Sequence, residues 1–317
     1  MDKASYLTRS TLHRRIAGKT LAWISLSRPP FHTVGILPFC LGTYLAWKTE
    51  DIFKNSVFFI GVLAVFFILL STYQSGEYFD HREDALSKAK FKSRFAGGSG
   101  IMQTGILPRR IPLLTSIVSI FLAAALGLVL QFGCGTGPYT LLLGCLGGLS
   151  GFFYSTKPVR LVERGYGEFF IAFCFGWLPI ATAFYLQTGF IHPLIHWISI
   201  PIALTIFNVI LLNEFHDYAA DHAVGKKNLL VRLGQGKGLV LFLAVSVTAW
   251  IMTFISIHAG VPPKMLHVYL PVFFFSLLII LLLRKGWHRK PETLEILCGM
   301  NIVVNLGTTA AFIYAWT

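Results

Sequence analysis

Charge is what this chain has least of. Only 13% of its 317 residues are Asp, Glu, Lys or Arg, while 55% are hydrophobic and the mean hydropathy is +0.66. Ordinary soluble domains carry about 25% charged residues, so a water-facing surface around the whole molecule is excluded. Acids are scarcest, 14 in all. Cysteine is sparse too. Cys40, Cys134, Cys145, Cys174 and Cys298 form no C-x-x-C pair and lie in apolar stretches or a short loop. That placement argues for free buried thiols over a disulfide framework or a thiolate metal centre.

What fills the chain instead is apolar sequence in segments. Nine stretches, 22–47, 56–75, 111–130, 139–156, 168–187, 196–213, 239–258, 266–283 and 294–316, are long enough to span or nearly span a bilayer, which takes about 20 residues of helix. The expected fold is all-α: a polytopic membrane protein, one domain over residues 1–317 with nine transmembrane helices around an apolar groove. Residues 1–20 read as a basic tail. Of the 27 Lys and Arg, all but Lys48, Lys54 and Lys264 lie in that tail, at the start of the first span or in alternate loops. This positive-inside pattern places the N-terminus in the cytoplasm and the C-terminus outside. The net charge of +13 is therefore mostly topology, with membrane lipid as the expected partner of the tail and no nucleic acid.

The few acids are not scattered. Glu77, Asp80 and Asp84 follow one apolar run, and Glu214, Asp217 and Asp221 follow another at the same spacing, 137 residues later. At helical periodicity each trio shares one face. Carboxylates at the end of a membrane-length helix demand a cation, a positive partner or water, and two matched rows point to one site made from two helix ends on the cytoplasmic side. Basic residues stand close by. Arg28 precedes Pro29-Pro30; Lys88 and Arg94 lead into Gly97-Gly98-Ser99-Gly100; Lys157 and Arg160 follow the fourth span; Lys226 follows the second acidic row. Cations feeding a glycine-rich turn offer charge and backbone N–H groups to phosphate oxygens. Hard divalent ions reconcile two facing acidic rows, and Mg²⁺ binds through a few carboxylates plus water and substrate phosphates. A pyrophosphate on a long, greasy body suits such a site, since the walls are apolar and rich in the chain's 28 Phe.

Gly76-Glu77-Tyr78-Phe79-Asp80-His81-Arg82-Glu83-Asp84 and Asn213–Asp221 resemble the two aspartate-rich motifs, N-D-x-x-D-x-x-x-D and D-x-x-x-D, of the UbiA superfamily of intramembrane prenyltransferases. The resemblance implies nine membrane helices and Mg²⁺-dependent transfer of a prenyl group from an allylic prenyl diphosphate to an aromatic acceptor. It makes Asp80, Asp84, Asp217 and Asp221 the catalytic acids and adds Glu77 and Glu214 to them as metal ligands. Arg28, Lys88, Arg94, Tyr154, Lys157, Arg160, Asn213 and Lys226 become candidates for the diphosphate or the acceptor. Gly76 stands where the family has Asn, and Glu77 where it has Asp. Asn213-x-x-x-Asp217-x-x-x-Asp221, Tyr154–Leu161 and Gly165–Glu168 are similar to the branch acting on 1,4-dihydroxy-2-naphthoate in menaquinone synthesis. Other acceptors, among them 4-hydroxybenzoate, homogentisate and a lipid, are the alternative, as is a non-enzymatic cation transporter using the same acids.

Elsewhere the expectations are structural. Gly144, Gly147, Gly148 and Gly151 are read as helix-packing positions, and spans seven to nine as walls of the groove. Asn208, Asn301 and Asn305 are read as bonds between helices, and His192, His196 and His258 as non-catalytic.

Overall fold

The computed structural model describes residues 18–317; of the basic tail expected over residues 1–20, all but the last three residues lie outside them. The described residues contain no strand. Among the described residues nine principal helices follow one another: α1 Pro29–Glu50, α2 Asn55–Phe79, α3 Arg110–Gly133, α4 Thr140–Ser155, α5 Gly167–Thr188, α6 Pro193–Ala223, α7 Gln235–His258, α8 Met265–Arg284 and α9 Pro291–Ala315. Seven of these are long and apolar enough to cross a membrane. The other two are α4, apolar but only 16 residues long, and α1, diluted by Pro29, Pro30, His32 and Pro38. This is a multi-pass membrane architecture, and its helices match the nine apolar stretches to within about four residues at all but two of their ends.

The largest departures concern the ends of two spans. The first stretch is not one helix: residues 18–26 are helical, the chain breaks at Ser27-Arg28, and α1 starts at Pro29. Arg28 takes a left-handed conformation (φ 49°), which redirects the chain, and Pro29 and Pro30 open the new helix where no N–H bond is lost. At the other extreme α6 runs unbroken for 31 residues, carrying the second acidic row inside the helix.

Helix contacts build two layers around α5 and α6. On one side α1 packs on α5, and α2 packs on α3 and α4. Backbones approach closely at glycine: a Cβ on Gly42 of α1 would sit 2.2 Å from the Ile180 carbonyl of α5, and one on Gly176 of α5 would sit 2.5 Å from Ala203 of α6. On the other side α7 and α9 pack on α6, α8 packs on α9, and α9 also reaches α1. Ile195, Ile198 and Ile202 of α6 are fully buried with Leu41, Leu45, Phe184 and Phe312. Buried polar groups bridge the helices. Asn208 donates to the Phe242 carbonyl (3.1 Å) and Ser246 Oγ (2.8 Å), and Asn305 to Thr205 Oγ1 (2.9 Å), so both serve between helices as expected, whereas Asn301 Nδ2 is buried with no hydrogen-bond partner. All five cysteines are free.

Candidate active site

The two acidic rows close on one cavity of about 290 Å³. Glu77, Asp80 and Asp84 line it from one side, and Glu214, Asp217 and Asp221 from the other. The lower wall is apolar, including Val34, Val65, Leu69, Phe175 and Ile206. Its lining comes from α1, α2, α4, α5, α6 and their connections, and no residue beyond Asn228 contributes. Helices α7 to α9 therefore do not wall the groove, contrary to the sequence expectation; they pack behind α6 and hold it in place.

The rows share a spacing but not a geometry. Helix α2 ends at Phe79, Asp80 sits at the break, and a second helix, His81–Lys90, carries Asp84. Asp80 accepts from Ser155 Oγ (2.5 Å) and Arg160 Nη2 (3.1 Å), and Glu77 accepts from the Ser99 N–H (2.6 Å) and hydroxyl (2.8 Å). In the second row, Asp217 accepts from Ser87 Oγ and from the Gly97 N–H (3.2 Å). Asp221 accepts from Asn228 Nδ2 (2.8 Å) and faces Lys226 Nζ at 3.3 Å. Glu214 Oε2 and Asn213 Oδ1 are buried with no hydrogen-bond donor facing them, and the Glu214 carboxyl lies against that of Glu168.

Electrostatics follow from this crowding. Burial raises the Asp84 carboxyl well above the usual carboxylate range, and the negative charges of Asp80, Glu77 and Asp217 push it the same way. Burial also raises Asp80, against the pull of Lys226, Ser155 and Arg160. Burial works to lower the Lys226 ammonium, but Asp221, Asp80, Asp217 and Asp84 outweigh it and raise it above an ordinary lysine. Lys88 is lowered, by burial first and then by Arg28.

The basic candidates divide. Arg28 and Lys226 line the cavity; Arg28 also donates to the Phe95 carbonyl (3.3 Å) and lies over the Phe31 ring. Tyr154 and Asn213 line it as well. Lys88 donates to the Ser93 carbonyl just behind the lining. Arg160 is engaged by carboxylates through both terminal nitrogens, with Glu83 at 2.5 Å, Glu163 at 2.8 Å and Asp80 at 3.1 Å, so it anchors the first row, and its buried Nε has no hydrogen-bond partner. Lys157 and Arg94 are exposed and line no part of the cavity. A loop position set by turn geometry, not by sequence proximity, keeps these two away. His192 caps α6 and His196 accepts from Trp177 Nε1, outside the site as expected.

Glycines in α4 were read as packing, and the structure divides them. Gly151 packs, since a Cβ there would lie 2.1 Å from Thr72 Oγ1, whereas a Cβ on Gly144 would meet nothing within 4 Å and opens into the cavity. Gly76 lines the cavity beside Ser155 and Asp80. Several residues here went unnoticed in the sequence. Asn228 was readable, as an Asn ahead of a short helix: its Oδ1 accepts from the Val231 N–H while its Nδ2 holds Asp221. Ser99, Ser155 and Glu83 gave no signal beyond lying near a motif.

The donor set suits a hard divalent cation, being carboxylate and amide oxygen with two buried oxygens left unpartnered. Among the described residues no three Asp, Glu, His or Cys side chains converge to hold a metal by themselves. That fits an ion that takes much of its shell from water and phosphate and does not fit a closed protein cage.

Fold and site together define a multi-pass membrane enzyme whose polar head lies at one end of an apolar chamber. The model of the UbiA prenyltransferase family matches residues 36–303, and the chain belongs to that family: it is a prenyltransferase. It is similar to the 1,4-dihydroxy-2-naphthoate octaprenyltransferase of Bacillus subtilis, 27% identical over 91% of this chain and 89% of that one. It is also similar to the 2-carboxy-1,4-naphthoquinone phytyltransferase of Synechocystis, 26% identical over 74% of this chain and 73% of that one. A solved UbiA homologue from Archaeoglobus fulgidus, bound to GPP and Mg²⁺, shares the fold with a TM-score of 0.65 at 15% identity, covering 92% of this chain and 99% of that one.

Proposed function

We propose that the protein transfers a prenyl group from an allylic prenyl diphosphate to 1,4-dihydroxy-2-naphthoate, with Mg²⁺, on the way to menaquinone. The observation that carries this is the pair of facing acidic rows at the head of an apolar cavity, with Arg28 and Lys226 in the same wall. The names of the naphthoate-prenylating relatives support the acceptor.

The carboxylates of Asp80, Asp84, Asp217 and Asp221, with Glu77 and Glu214, would hold Mg²⁺, which supplies Lewis-acid stabilisation of the diphosphate as it leaves. Arg28 and Lys226 neutralise the outer phosphate oxygens. The allylic C–O bond breaks with its electron pair going to the diphosphate, and the acceptor ring forms the new C–C bond, losing its carboxyl group as carbon dioxide. The apolar lining, Val65, Leu69 and Phe175 among it, holds the prenyl chain and keeps water from the allylic cation. In this reading all nine helices cross the membrane as one domain over residues 1–317, with the N-terminus and the acids cytoplasmic.

The test incubates purified protein with geranylgeranyl diphosphate, 1,4-dihydroxy-2-naphthoate and Mg²⁺ and looks for the prenylated naphthol by mass spectrometry. Product is expected, with turnover lost by roughly 10³-fold in Asp80→Ala and Asp217→Ala. Product from 4-hydroxybenzoate but not from the naphthoate would move the acceptor, and cation flux in vesicles with no transfer at all would sink the reading.

A further inference from the structure

Residues 93–99 run across the two acidic rows, and Phe95, Ala96, Gly97 and Gly98 form part of the cavity wall. The far end of this strap is tied to the acids themselves, through Gly97 N–H to Asp217 and Ser99 to Glu77. Its near end is tied to a residue about 200 positions away. Ser93 Oγ donates to Glu295 Oε2 at 2.6 Å, and the Arg94 N–H donates to Glu295 Oε1 at 2.8 Å. Glu295 sits near the start of α9, a helix that contributes nothing to the cavity lining.

We propose that Glu295 is a positioning residue that, as a double hydrogen-bond acceptor, holds the 93–99 strap over the site and so sets the affinity for the diphosphate. The requirement for a carboxylate follows from Ser93. A hydroxyl has one proton and two lone pairs. The N–H groups of Phe95 (3.0 Å) and Ala96 (3.2 Å) take the lone pairs, so the proton is left for Glu295. With Arg94 N–H on the other oxygen, both atoms at the tip of residue 295 have to accept. A Gln amide accepts on one atom only, and either orientation sets an N–H₂ against a donor. With the N–H₂ towards Ser93 the mismatch is buried and water cannot relieve it; with the N–H₂ towards Arg94, in an exposed position, water takes over and the Arg94 tie of the strap is lost. The start of the strap is braced by Phe91, stacked on the His216 ring at 5.4 Å and 4°, with His216 Nε2 3.5 Å from Glu295 Oε2.

The test uses the full-length protein in detergent with Glu295→Gln, Ser93→Ala and the double variant. This inference rests on the prenyl diphosphate reading only for its kinetic arm. The first arm is limited trypsin cleavage after Lys92 and Arg94, both exposed, and needs no substrate. Each single variant is expected to be cut about tenfold faster there, a loss typical of a buried hydrogen bond to a charged group. The second arm measures KM for geranylgeranyl diphosphate and for the acceptor. KM for the diphosphate is expected to rise about tenfold, with kcat and the acceptor KM little changed. Because the Ser93–Glu295 hydrogen bond is lost in either single variant, the double variant is expected to fall clearly short of the sum of the two. Unchanged cleavage in Glu295→Gln, an additive double variant, or a fall in kcat with no change in the diphosphate KM would each overturn the proposal. Should wild-type protein turn over no prenyl diphosphate, the donor reading and the kinetic role fall together, and the trypsin arm still decides whether Glu295 holds the strap.

Discussion

The two acidic rows repeat one spacing, yet they are built differently. Glu77, Asp80 and Asp84 straddle a helix break and are held by Ser99, Ser155 and Arg160, whereas Glu214, Asp217 and Asp221 ride on one continuous helix and leave Glu214 Oε2 bare. Protein donors reach two acids in each row, Glu77 and Asp80 in the first and Asp217 and Asp221 in the second, while Glu214 Oε2 is buried without one. Spacing in sequence fixed which face the acids of the second row share, but the partners of both rows were set by what each helix end runs into. A break at Asp80 turns the first row towards Arg160, while the length of α6 carries the second row past Arg160 to Lys226 and Asn228; the strap reaches both rows, through Ser99 to Glu77 and through the Gly97 N–H to Asp217.

The sharpest way to break this comparison is to remove the cation that steadies the first row. Arg160→Ala leaves Asp80 and Glu83 with buried, uncompensated charge and is expected to destabilise the protein by about 3 kcal/mol. A thermal melt reads this, and a melt as high as wild type would mean that the row is stabilised some other way. A smaller effect separates the rows directly. Glu214→Gln is expected to raise the half-saturating Mg²⁺ concentration about tenfold, and Glu77→Gln by less, because Glu77 already spends its oxygens on Ser99. Equal shifts in a Mg²⁺ titration of turnover would erase the distinction.

The smallest expected effect is in pH. Asp84, its carboxyl raised by burial and by neighbouring acids, keeps its proton to a higher pH than a free carboxyl does. A cation has to displace that proton, so the apparent Mg²⁺ affinity is expected to rise with pH above the ordinary carboxylate range, by at most about tenfold per unit. Asp84→Asn, with no proton to displace there, is expected to flatten the slope. A slope that persists in that variant would assign the proton to another group.

Much of the fold was legible because a membrane leaves helices few alternatives. With no water to satisfy backbone groups, apolar segments of about 20 residues become spanning helices, and the described helices fall on the nine stretches read from hydropathy. The acids were legible for the same reason, since carboxylates at the end of apolar runs are costly and stand out. Basic residues were less so. Arg28 and Lys226 reach the cavity while Lys157 and Arg94 face away, and Arg160 is taken up by three carboxylates. A long cationic side chain in a loop looks the same in sequence whichever way it turns.

By itself, then, the sequence determined the helical membrane architecture, the two acidic rows and the face the second row shares, because hydropathy and helical periodicity act over neighbouring residues; the break at Asp80 in the first row was not among them. Only the tertiary structure decided that α7 to α9 stand behind the cavity, that Gly144 opens into it while Gly151 packs, and that Glu295 meets Ser93 across some 200 residues. Those are contacts between helices distant along the chain, set by how whole surfaces fit together, and no local pattern of residues carries that information.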